Sequence, residues 1–516
     1  MKKDNSYSHI LKYTGIFGGV QGLNILAGVV RNKFAALFLG PSGMGLLSLF
    51  NSTSTFLSSA CNLGIPTSGV KVVADSLVNR NDSENILEEG VPQESIVAGT
   101  IAQTTFCPNM EDSVCLVRSF SGLAAAFGAL LCVLLGPLLD FFAFSWGNHT
   151  LHFVLLAPTV FFTILAGGEM SVLKALGQLK ALAIQASALA LLSLIFSVPV
   201  YWIFGERGIL AVLFFIAFSQ WLLNFLYSRR AVPFRLKFSK KELVKGMPLV
   251  RLGMSFVLAG MVSSGAELLV RAFLNNQGDL EMVGLFNAGV TIVIVYAGVV
   301  FSVMESDYYP RLSAVSGKRL DARVVERRNL IVNRQLEVNV LLMGPIAAIV
   351  ILALPIGIPF LYDSQFLGML AMTQVASVSL LFKAVYLPIE YLPLSRGESK
   401  IFLAQECFCV ILLVSCEIMG YMLGGLTGIG VGVVVAYAVE TFVVLIFSRL
   451  YYRFCLSPRG QYSVLIHLVA VLLALLVTTI DYHRFLYWFL GGLVLLGSVV
   501  YSMSLVRKSI HVSDAD

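Results

Sequence analysis

The feature that most constrains this chain is a series of about fourteen long apolar runs, each near the ~20 residues that a bilayer-spanning helix needs. The runs lie near residues 10–39, 46–70, 120–139, 151–173, 181–204 and 209–227, then 249–274, 283–304, 338–361, 367–391, 401–423 and 429–450, and finally 464–480 and 485–505. This pattern predicts an all-α polytopic membrane protein with about 14 transmembrane helices.

Composition supports the same class. Hydrophobic residues make up 57% of the 516 residues and charged residues only 13%, about half the charged share of a soluble domain. So little charge cannot cover a water-facing surface, which excludes a cytosolic enzyme and a disordered scaffold. The net charge of +6 does not indicate nucleic-acid binding, because the basic residues lie in short loops between apolar runs, where they set membrane topology.

Basic residues fall in alternate loops. The loop after the sixth run carries seven Lys or Arg residues between Arg229 and Lys245, and the loop after the eighth carries seven between Arg311 and Arg334. Loops of the opposite set, such as 362–366, carry none. Because Lys and Arg collect on the cytoplasmic side, both termini are predicted to be cytoplasmic.

One polar segment, residues 75–118, breaks this pattern. It is acidic, with Glu84, Glu88, Glu89, Glu94, Glu111 and Asp112. The orientation puts it in the cytoplasm, where we expect a solvated surface loop; a small helical cap, a docking surface and a mobile insert are the alternatives.

Two short matches indicate an internal duplication. Val30-Arg31 is followed by Leu49-Phe50-Asn51, and Val270-Arg271 is followed by Leu285-Phe286-Asn287, at similar places in two sets of six runs. Six is even, so two six-helix lobes would have the same orientation, as in transporters that handle substrate between parallel repeats. The predicted parts are an N-lobe (1–228) containing the acidic insert, a basic cytoplasmic linker (229–247), a C-lobe (248–450), and two extra helices with a tail (451–516).

Charged side chains inside the apolar runs indicate a site. Each costs roughly 3 kcal/mol on insertion scales and usually faces a water-filled cavity or a bundle interior. Glu267 and Arg271 are four apart and can pair on one helix face, while Arg31 and Lys33 lie late in the first run. By the helical rise, Arg31 and Arg271 both fall in the outer half of the membrane, where two guanidinium groups suit a phosphate-bearing ligand. These four residues are the predicted substrate site; a structural ion pair and snorkelling to the interface are the alternatives.

Other charged residues are candidates for gating or ion coupling: Glu169, Lys174, Asp307, Lys383, Glu390 and Glu440. Lys383 and Glu390 are seven apart on one face. Glu440 lies closest to a helix midpoint, where a buried carboxyl could carry a coupling proton. The alternative for Glu440 is a hydrogen bond to a neighbouring helix, and Asp307 could pair with Arg311 at a helix end.

No cofactor and no metal site is predicted. The eight cysteines show neither zinc-ligand spacing nor a disulfide framework. His149 and His152 are three apart, but no acidic or Cys partner accompanies them.

Several stretches carry a family resemblance. They are residues 31–51 (RNKFAALFLGPSGMGLLSLFN), 167–182 (GGEMSVLKALGQLKAL), 268–289 (LLVRAFLNNQGDLEMVGLFNAG), 307–315 (DYYPRLSAV) and 397–406 (GESKIFLAQE). In these stretches the chain resembles the bacterial O-antigen translocase (polysaccharide flippase) branch of the MATE-like MOP flippase superfamily, over residues 10–450.

The resemblance implies a V-shaped pair of six-helix lobes around a central cavity in the bacterial inner membrane. It implies a polyprenyl-pyrophosphate-linked oligosaccharide as cargo, moved from the cytoplasmic to the periplasmic leaflet, with cationic cavity residues on the pyrophosphate. Arg31, Lys33 and Arg271 fall in matching places. Two features depart from the family: the insert 75–118 is longer and less basic, and two helices follow residue 450, as in related peptidoglycan-precursor flippases.

The hypothesis is therefore an alternating-access flippase of lipopolysaccharide or polysaccharide biosynthesis, not an enzyme, with the lipid-linked glycan, membrane lipid and H+ or Na+ as partners. Drawing a diphosphate through hydrocarbon costs tens of kcal/mol, and a basic hydrated cleft removes most of that barrier. In this hypothesis Glu267 tunes Arg271 and releases it as the cleft reopens. The first rival is a cation-coupled small-molecule or multidrug exporter, which would depend on acidic cavity residues. A membrane glycan polymerase is disfavoured by the short outer loops.

Overall fold

The computed structural model describes residues 5–89, 110–145, 147, 149–237, 239–315 and 322–513. These residues are almost entirely α-helical and contain no strand. The predicted all-α membrane class is confirmed. The chain divides into two compact units, Met1–Asp279 and Leu280–Asp516. The lobe boundaries at residues 228 and 248 stay a prediction.

The first unit contains eight helices within its described residues. They are α1 (Asn5–Cys61), α2 (Ile65–Glu89), α3 (Met110–Phe144), α4 (Thr150–Leu155), α5 (Ala157–Ala175), α6 (Leu179–Phe204), α7 (Ile209–Ala231) and α8 (Lys240–Gln277). The apolar helix α5 is central: it packs against α2, α3 and α7, and its Val172 and Leu173 are fully buried. The long helix α1 packs against α6 and α8.

The second unit also contains eight helices within its described residues. They are α9 (Leu280–Val290), α10 (Val299–Val315), α11 (Ala322–Leu361), α12 (Leu370–Ala376), α13 (Ser379–Ser395), α14 (Ser399–Tyr452), α15 (Pro458–Val477) and α16 (Phe485–Ser513). A π-helix, Thr291–Ala297, follows α9. The central helix is α11, which packs against α10, α13, α15 and α16. Its Pro355 has no N–H for the carbonyl of Ile351, and Gln374 supplies that bond at 3.0 Å.

Ten of the described helices are long and apolar enough to span a bilayer, or up to eleven if the bent pair Ser364–Ala376 and Ser379–Ser395 is one span. Three of the ten stretches contain a break near the middle: Gly22–Cys61, Lys180–Ala231 and Ser399–Tyr452. A straight helix of the 54 residues of the last stretch would be about 80 Å long, more than twice the thickness of the hydrocarbon core, so this stretch is not a single span.

In each of these three stretches the break separates two helical arms. In α1 the break is Gly40, with φ of 65°, and in α14 it is Gly424–Gly425, where Gly425 has φ of 59°. Glycine takes this left-handed conformation without a steric penalty. Between α6 and α7 the break is the short 3-10 turn Gly205–Gly208. Counting the two arms of each separately, and the bent pair as one, gives about fourteen spans in the described part of the chain, each long enough to cross a bilayer.

A buried arginine, Arg118, joins three helices of the first unit. The side chain of Arg118, near the start of α3, is 2% exposed. Its Nε donates to both carboxylate oxygens of Glu169 in α5, at 3.0 and 3.2 Å. The two terminal nitrogens donate to Ser228 Oγ and to the carbonyl of Pro233, both at 2.8 Å. Arg118 therefore joins α3 and α5 to the end of α7 and the chain that follows it.

A second buried arginine lies near the start of α11 in the second unit. Arg328 is 1% exposed, and its guanidinium donates to the carbonyl of Tyr452, the last residue of α14. The neighbouring Asn329 donates to the carbonyl of Arg453 at 3.0 Å. These contacts hold the end of α14 against α11.

The acidic segment 75–118 is helical at both ends. Residues 75–89 continue α2 and residues 110–118 begin α3. The prediction of a solvated loop is wrong for residues 113–118, which are buried. Arg118 can be buried because Glu169 compensates its charge. Glu111 and Asp112, in the first turn of α3, pair with basic side chains that follow α7, where the helix dipole also favours negative charge. Residues 90–109 lie outside the described residues.

The two last helices are bound tightly to the second unit. His467 of α15 is fully buried, and its ring nitrogens lie 3.1 and 3.2 Å from the hydroxyls of Ser498 and Ser502 in α16. The same ring lies against Gly344 of α11. Tyr487 of α16 donates to the carbonyl of Leu352 in α11 at 2.9 Å.

Candidate functional site

The candidate site is built on the contact between the second arm of α1 (residues 41–61) and α8. Two glycines, Gly64 and Gly253, allow the backbones to approach: a side-chain carbon on Gly253 would lie 2.4 Å from the carbonyl oxygen of Leu63. Further along, Gly260 lies opposite Ser59, with ordinary van der Waals room. The α1 residue number falls as the α8 number rises, so the two helices are antiparallel and the contact continues toward Arg271.

Arg271 ends this contact. Its Nε donates to Ser48 Oγ in the second arm of α1 at 2.7 Å, and one terminal nitrogen donates to the carbonyl and carboxylate oxygens of Glu267 at 3.1 and 3.2 Å. The predicted Glu267–Arg271 pair is confirmed. The arginine side chain is 10% exposed and the glutamate side chain 60%. The pair therefore places a buried guanidinium directly behind an accessible carboxylate.

Ser48 is a site residue that sequence reasoning missed. It lies 223 positions from Arg271, and a serine in an apolar run gives no local signal of such a contact. Its hydroxyl fixes the guanidinium plane, because Nε has one N–H direction.

Arg31 and Lys33 lie on the first arm of α1, before the break at Gly40. Both are half-buried. Arg31 lies near Tyr201 of α6, close enough for its charge to act on the hydroxyl. The contacts of Arg271 are with the second arm of α1. That Arg31 and Arg271 share one ligand stays a prediction.

The other predicted residues of the first unit lie away from this site. The carboxylate of Glu169 is part of a buried ion pair with Arg118. Lys174 is exposed at the end of α5. Arg118 itself was missed, although it follows the apolar residues 114–117, a pattern typical of a buried helix.

In the second unit, the structure brings Lys383 of α13 and Glu440 of α14 together. Glu440 is 3% exposed, hydrogen-bonds with the thiol of Cys409, and interacts electrostatically with Lys383 and Glu406. The ammonium of Lys383 also lies 5.6 Å from the ring centroid of Phe301. Two charged groups, Lys383 and Glu406, and the Cys409 thiol thus surround the buried Glu440 carboxyl. Glu440 lies in the second arm of α14 and Cys409 in the first arm. The Glu440–Cys409 bond is therefore the predicted hydrogen bond to a neighbouring helical segment.

The remaining two candidates of this unit differ. Glu390 is 5% exposed, on α13 with Lys383. The side chain of Asp307 lies outside the described part of the chain.

A small apolar cavity of about 30 Å³ lies in the second unit, between the π-helix, α12 and α14. Val293 and Ile294 of the π-helix line it, and Glu417 and Tyr437 are its main polar groups. π-Helical turns are frequent at functional sites. Glu417 is 7% exposed, so this unit holds a further intramembrane carboxyl besides Glu390 and Glu440.

No protein-family model and no curated protein sequence matches the chain. Solved structures do. A multidrug resistance MATE family transporter of the MOP superfamily in an inward-facing conformation aligns with a TM-score of 0.61 at 13% identity, over 87% of this chain and 98% of that chain. One in an outward-facing conformation aligns with a TM-score of 0.55 at 14% identity, over 88% and 96%.

A third similar structure is a MOP superfamily transporter from Pyrococcus furiosus. It aligns with a TM-score of 0.55 at 12% identity, over 85% of this chain and 95% of that chain. The reversed polarity of its binding pocket suggests a different function for that protein. The chain therefore has the fold of MATE transporters, over nearly the whole length of these relatives, and this fold carries more than one pocket polarity.

Proposed function

We propose that the protein is an alternating-access flippase that moves a polyprenyl-pyrophosphate-linked oligosaccharide from the cytoplasmic to the periplasmic leaflet of a bacterial inner membrane. The observation that carries the proposal is the buried Arg271, bonded to Ser48 and Glu267 within a membrane-spanning helix. A charged side chain at this depth usually faces a bundle interior or a water-filled cavity, and such residues mark substrate pathways in membrane proteins.

The chemistry of Arg271 suits a phosphate. Its side chain is oriented by Ser48, and one terminal nitrogen donates to the carboxylate of Glu267. A pyrophosphate carries more charge than a carboxylate and accepts two parallel N–H bonds from a guanidinium. Exchange of Glu267 for pyrophosphate would load the site, and return of Glu267 would release the cargo. Arg31 and Lys33, on the first arm of α1, add positive charge to the same ligand.

The fold supports the transport cycle. Similar structures exist in inward-facing and outward-facing conformations, and parallel-repeat transporters move by rocking of one half against the other. The inside-negative membrane potential favours outward movement of an anion by about 2.3 kcal/mol per charge per 100 mV. Glu440, with Lys383 beside it, is the proposed coupling group for H+ or Na+. Glu169, Lys174, Asp307 and Glu390 are the other residues proposed to act in gating.

A cation-coupled small-molecule exporter is the second candidate. It is favoured by the buried carboxyls Glu390, Glu417 and Glu440 of the second unit, which would suit a cationic compound, and by the multidrug transporters of the same fold. Fold does not decide cargo. The exporter should need these acidic residues and tolerate loss of Arg271.

The test is export of surface glycan in cells in which the gene is replaced by Arg31→Ala or Arg271→Ala. We expect each to reduce surface glycan at least about tenfold, the loss of one charge-assisted bond, and to strand lipid-linked glycan on the inner leaflet. Arg251→Ala, an exposed arginine on the same helix as Arg271, is the matched control and should export normally. Normal export by both variants, together with a changed drug-susceptibility profile in Glu440→Gln, would contradict the flippase function and favour the small-molecule exporter.

A further inference from the structure

The second arm of α1 exposes only polar side chains. Along residues 41–61, all of which the structure describes, the exposed residues are Ser42, Asn51 and Thr55, while every leucine and phenylalanine is buried or half-buried. A helix that faces lipid exposes apolar residues, because hydrocarbon cannot hydrogen-bond polar groups. The exposed side of this arm therefore faces water at membrane depth.

Helix α8 has two exposed faces of opposite character. Leu258, Val262 and Leu269 are exposed on one face. Ser263 and Glu267 are exposed on another, about 140° away at 100° per residue. The first face suits lipid, and the second continues the polar side of α1.

The two polar rows lie on the same side of one helix contact. The contact is marked by Ser48 with Arg271 and by Ser59 with Gly260. In these antiparallel helices, the 100° rotation per residue puts Asn51 and Thr55 on the same flank of the contact as Ser263 and Glu267. Together they line one face, which we call the polar face.

A buried hydroxyl gives an independent sign of a ligand. Ser58 lies on the same side of α1, seven residues after Asn51. It is 7% exposed, and its Oγ has no hydrogen-bond partner. A buried hydroxyl without a partner is uncommon in a folded protein and often marks the place of a water or a ligand.

We infer that the polar face, formed by Asn51, Thr55, Ser58, Ser263 and Glu267, binds hydroxyl groups of the cargo's sugars. The inference rests on the proposed function and deepens it, because it assigns the carbohydrate part of the cargo to residues next to the phosphate-binding Arg271. Sugar hydroxyls both donate and accept hydrogen bonds. The face matches them with the amide of Asn51, with the hydroxyls of Ser58 and Ser263, which can both donate and accept, and with two acceptors. The acceptors are the carboxylate of Glu267 and the oxygen of Thr55, whose own proton is bonded to the Asn51 carbonyl.

The order along α8 is consistent with one elongated ligand. Arg271 lies at one end, Glu267 one turn away and Ser263 two turns away. Beyond Ser263 the same side of the helix becomes apolar at Phe256. A headgroup with its diphosphate at Arg271 would place its first sugars along Glu267 and Ser263.

The experiment measures binding of two lipids to the purified full-length protein in nanodiscs: bare polyprenyl pyrophosphate, and polyprenyl pyrophosphate carrying a single hexosamine. We expect the wild-type protein to bind the glycosylated lipid more tightly. Asn51→Leu and Thr55→Val should each lower that preference by about fivefold, the effect of one net hydrogen bond, and leave the affinity for the bare lipid unchanged.

The matched control is Thr53→Val. Thr53 and Thr55 make the same bond to the carbonyl four residues earlier, at 2.9 Å, but Thr53 is buried and Thr55 is exposed. Thr53→Val should leave both affinities unchanged. If Thr55→Val behaves like this control and Asn51→Leu does the same, the polar face does not bind sugar.

Two further outcomes separate this inference from the proposed function. If the wild-type protein binds both lipids with equal affinity and Arg271→Ala weakens both, the phosphate site stands and the sugar assignment fails. If the wild-type protein binds neither lipid, the proposed function fails, and the sugar assignment fails with it.

Discussion

Arg118 and Arg328 make the same kind of contact at matching places in the two units. Each is buried near the start of a helix and donates to a backbone carbonyl at or just beyond the end of a helix three spans later: Arg118 to Pro233 after α7, and Arg328 to Tyr452 at the end of α14. Each guanidinium also lies over an aromatic ring, Phe234 at 5.6 Å and Tyr452 at 5.8 Å. This repeated contact supports the internal duplication that the sequence predicted from other residues.

The Arg118 contact should be essential for stability. Arg118→Met leaves the carboxylate of Glu169 buried without its counter-ion, which should cost roughly 3–5 kcal/mol. Thermal unfolding of the purified protein in detergent measures the effect. The double variant Arg118→Met/Glu169→Met should recover part of the loss, since it removes the unpaired charge.

Arg235→Ala is the control for this comparison. It breaks an exposed ion pair with Glu111, of 2.9 Å, which should contribute at most about 1 kcal/mol. Equal melting temperatures for Arg118→Met and Arg235→Ala would mean that the buried Arg118–Glu169 pair does not stabilise the folded protein more than an exposed ion pair does.

The close approach of α1 and α8 can be tested with two identical substitutions on α8. Gly253→Ala brings a methyl group against the carbonyl of Leu63 and should destabilise the protein by about 1–3 kcal/mol through overpacking. Gly260→Ala has room beside Ser59 and should be neutral or stabilising by up to about 1 kcal/mol, because alanine is the better helix former. Unfolding in detergent gives both values. The contact described above is wrong if the two variants have the same stability.

Glu440 should determine the response of transport to a proton gradient. Glu440→Gln keeps the hydrogen-bonding shape of the protonated acid but cannot release a proton. We expect this variant, in proteoliposomes, to translocate lipid-linked glycan at a rate that no longer responds to an imposed pH gradient. Glu281→Gln, an exposed position at the start of α9, should respond like the wild-type protein. A full gradient response in Glu440→Gln would remove this residue from coupling.

His149 should make stability dependent on pH. It lies between α3 and α4, outside the membrane spans, with its ring 4.2 Å from that of Phe144. Burial lowers its pKa, the nearby His152 adds to this effect, and Asp140 opposes it. The unfolded chain therefore binds a proton more readily than the folded protein, so this residue makes stability fall as the pH drops below the ordinary histidine pKa of about 6.5.

The measurement is the melting temperature at pH 7.5 and pH 5.5, both as rough brackets of the histidine pKa. His149→Phe should show a smaller decrease than the wild-type protein on acidification. His483→Gln, an exposed histidine before α16, should show the wild-type decrease. An unchanged decrease in His149→Phe would assign the pH dependence to other groups.

What could be predicted from the sequence follows from the range of the interactions. The apolar runs identify the spans, because the bilayer sets a minimum length for each helix whatever its neighbours are. Spacing of four residues is enough to pair Glu267 with Arg271. Both predictions depend on short stretches of chain.

Contacts between distant stretches could not be predicted in this way. Arg118 is the last residue of the acidic segment for which the sequence predicts a surface loop, and its partner Glu169 is 51 positions away. Ser48 and Arg271 are joined only by the packing of α1 on α8. The polar face also needs that packing, because Asn51 and Glu267 belong to one surface only when the two helices lie side by side.

The bonds of His467 and Tyr487 have a consequence for the length of the chain. His467 bonds α15 to α16 and packs against Gly344 of α11, and Tyr487 bonds α16 to the middle of α11, the helix on which the rest of the second unit is assembled. In a protein shortened after Tyr452, one side of α11 would lose its cover. Gly344 and the Leu352 carbonyl would then be exposed to lipid. Helices α15 and α16 are thus a fixed part of the second unit. A fusion partner attached after α16 would move together with α11.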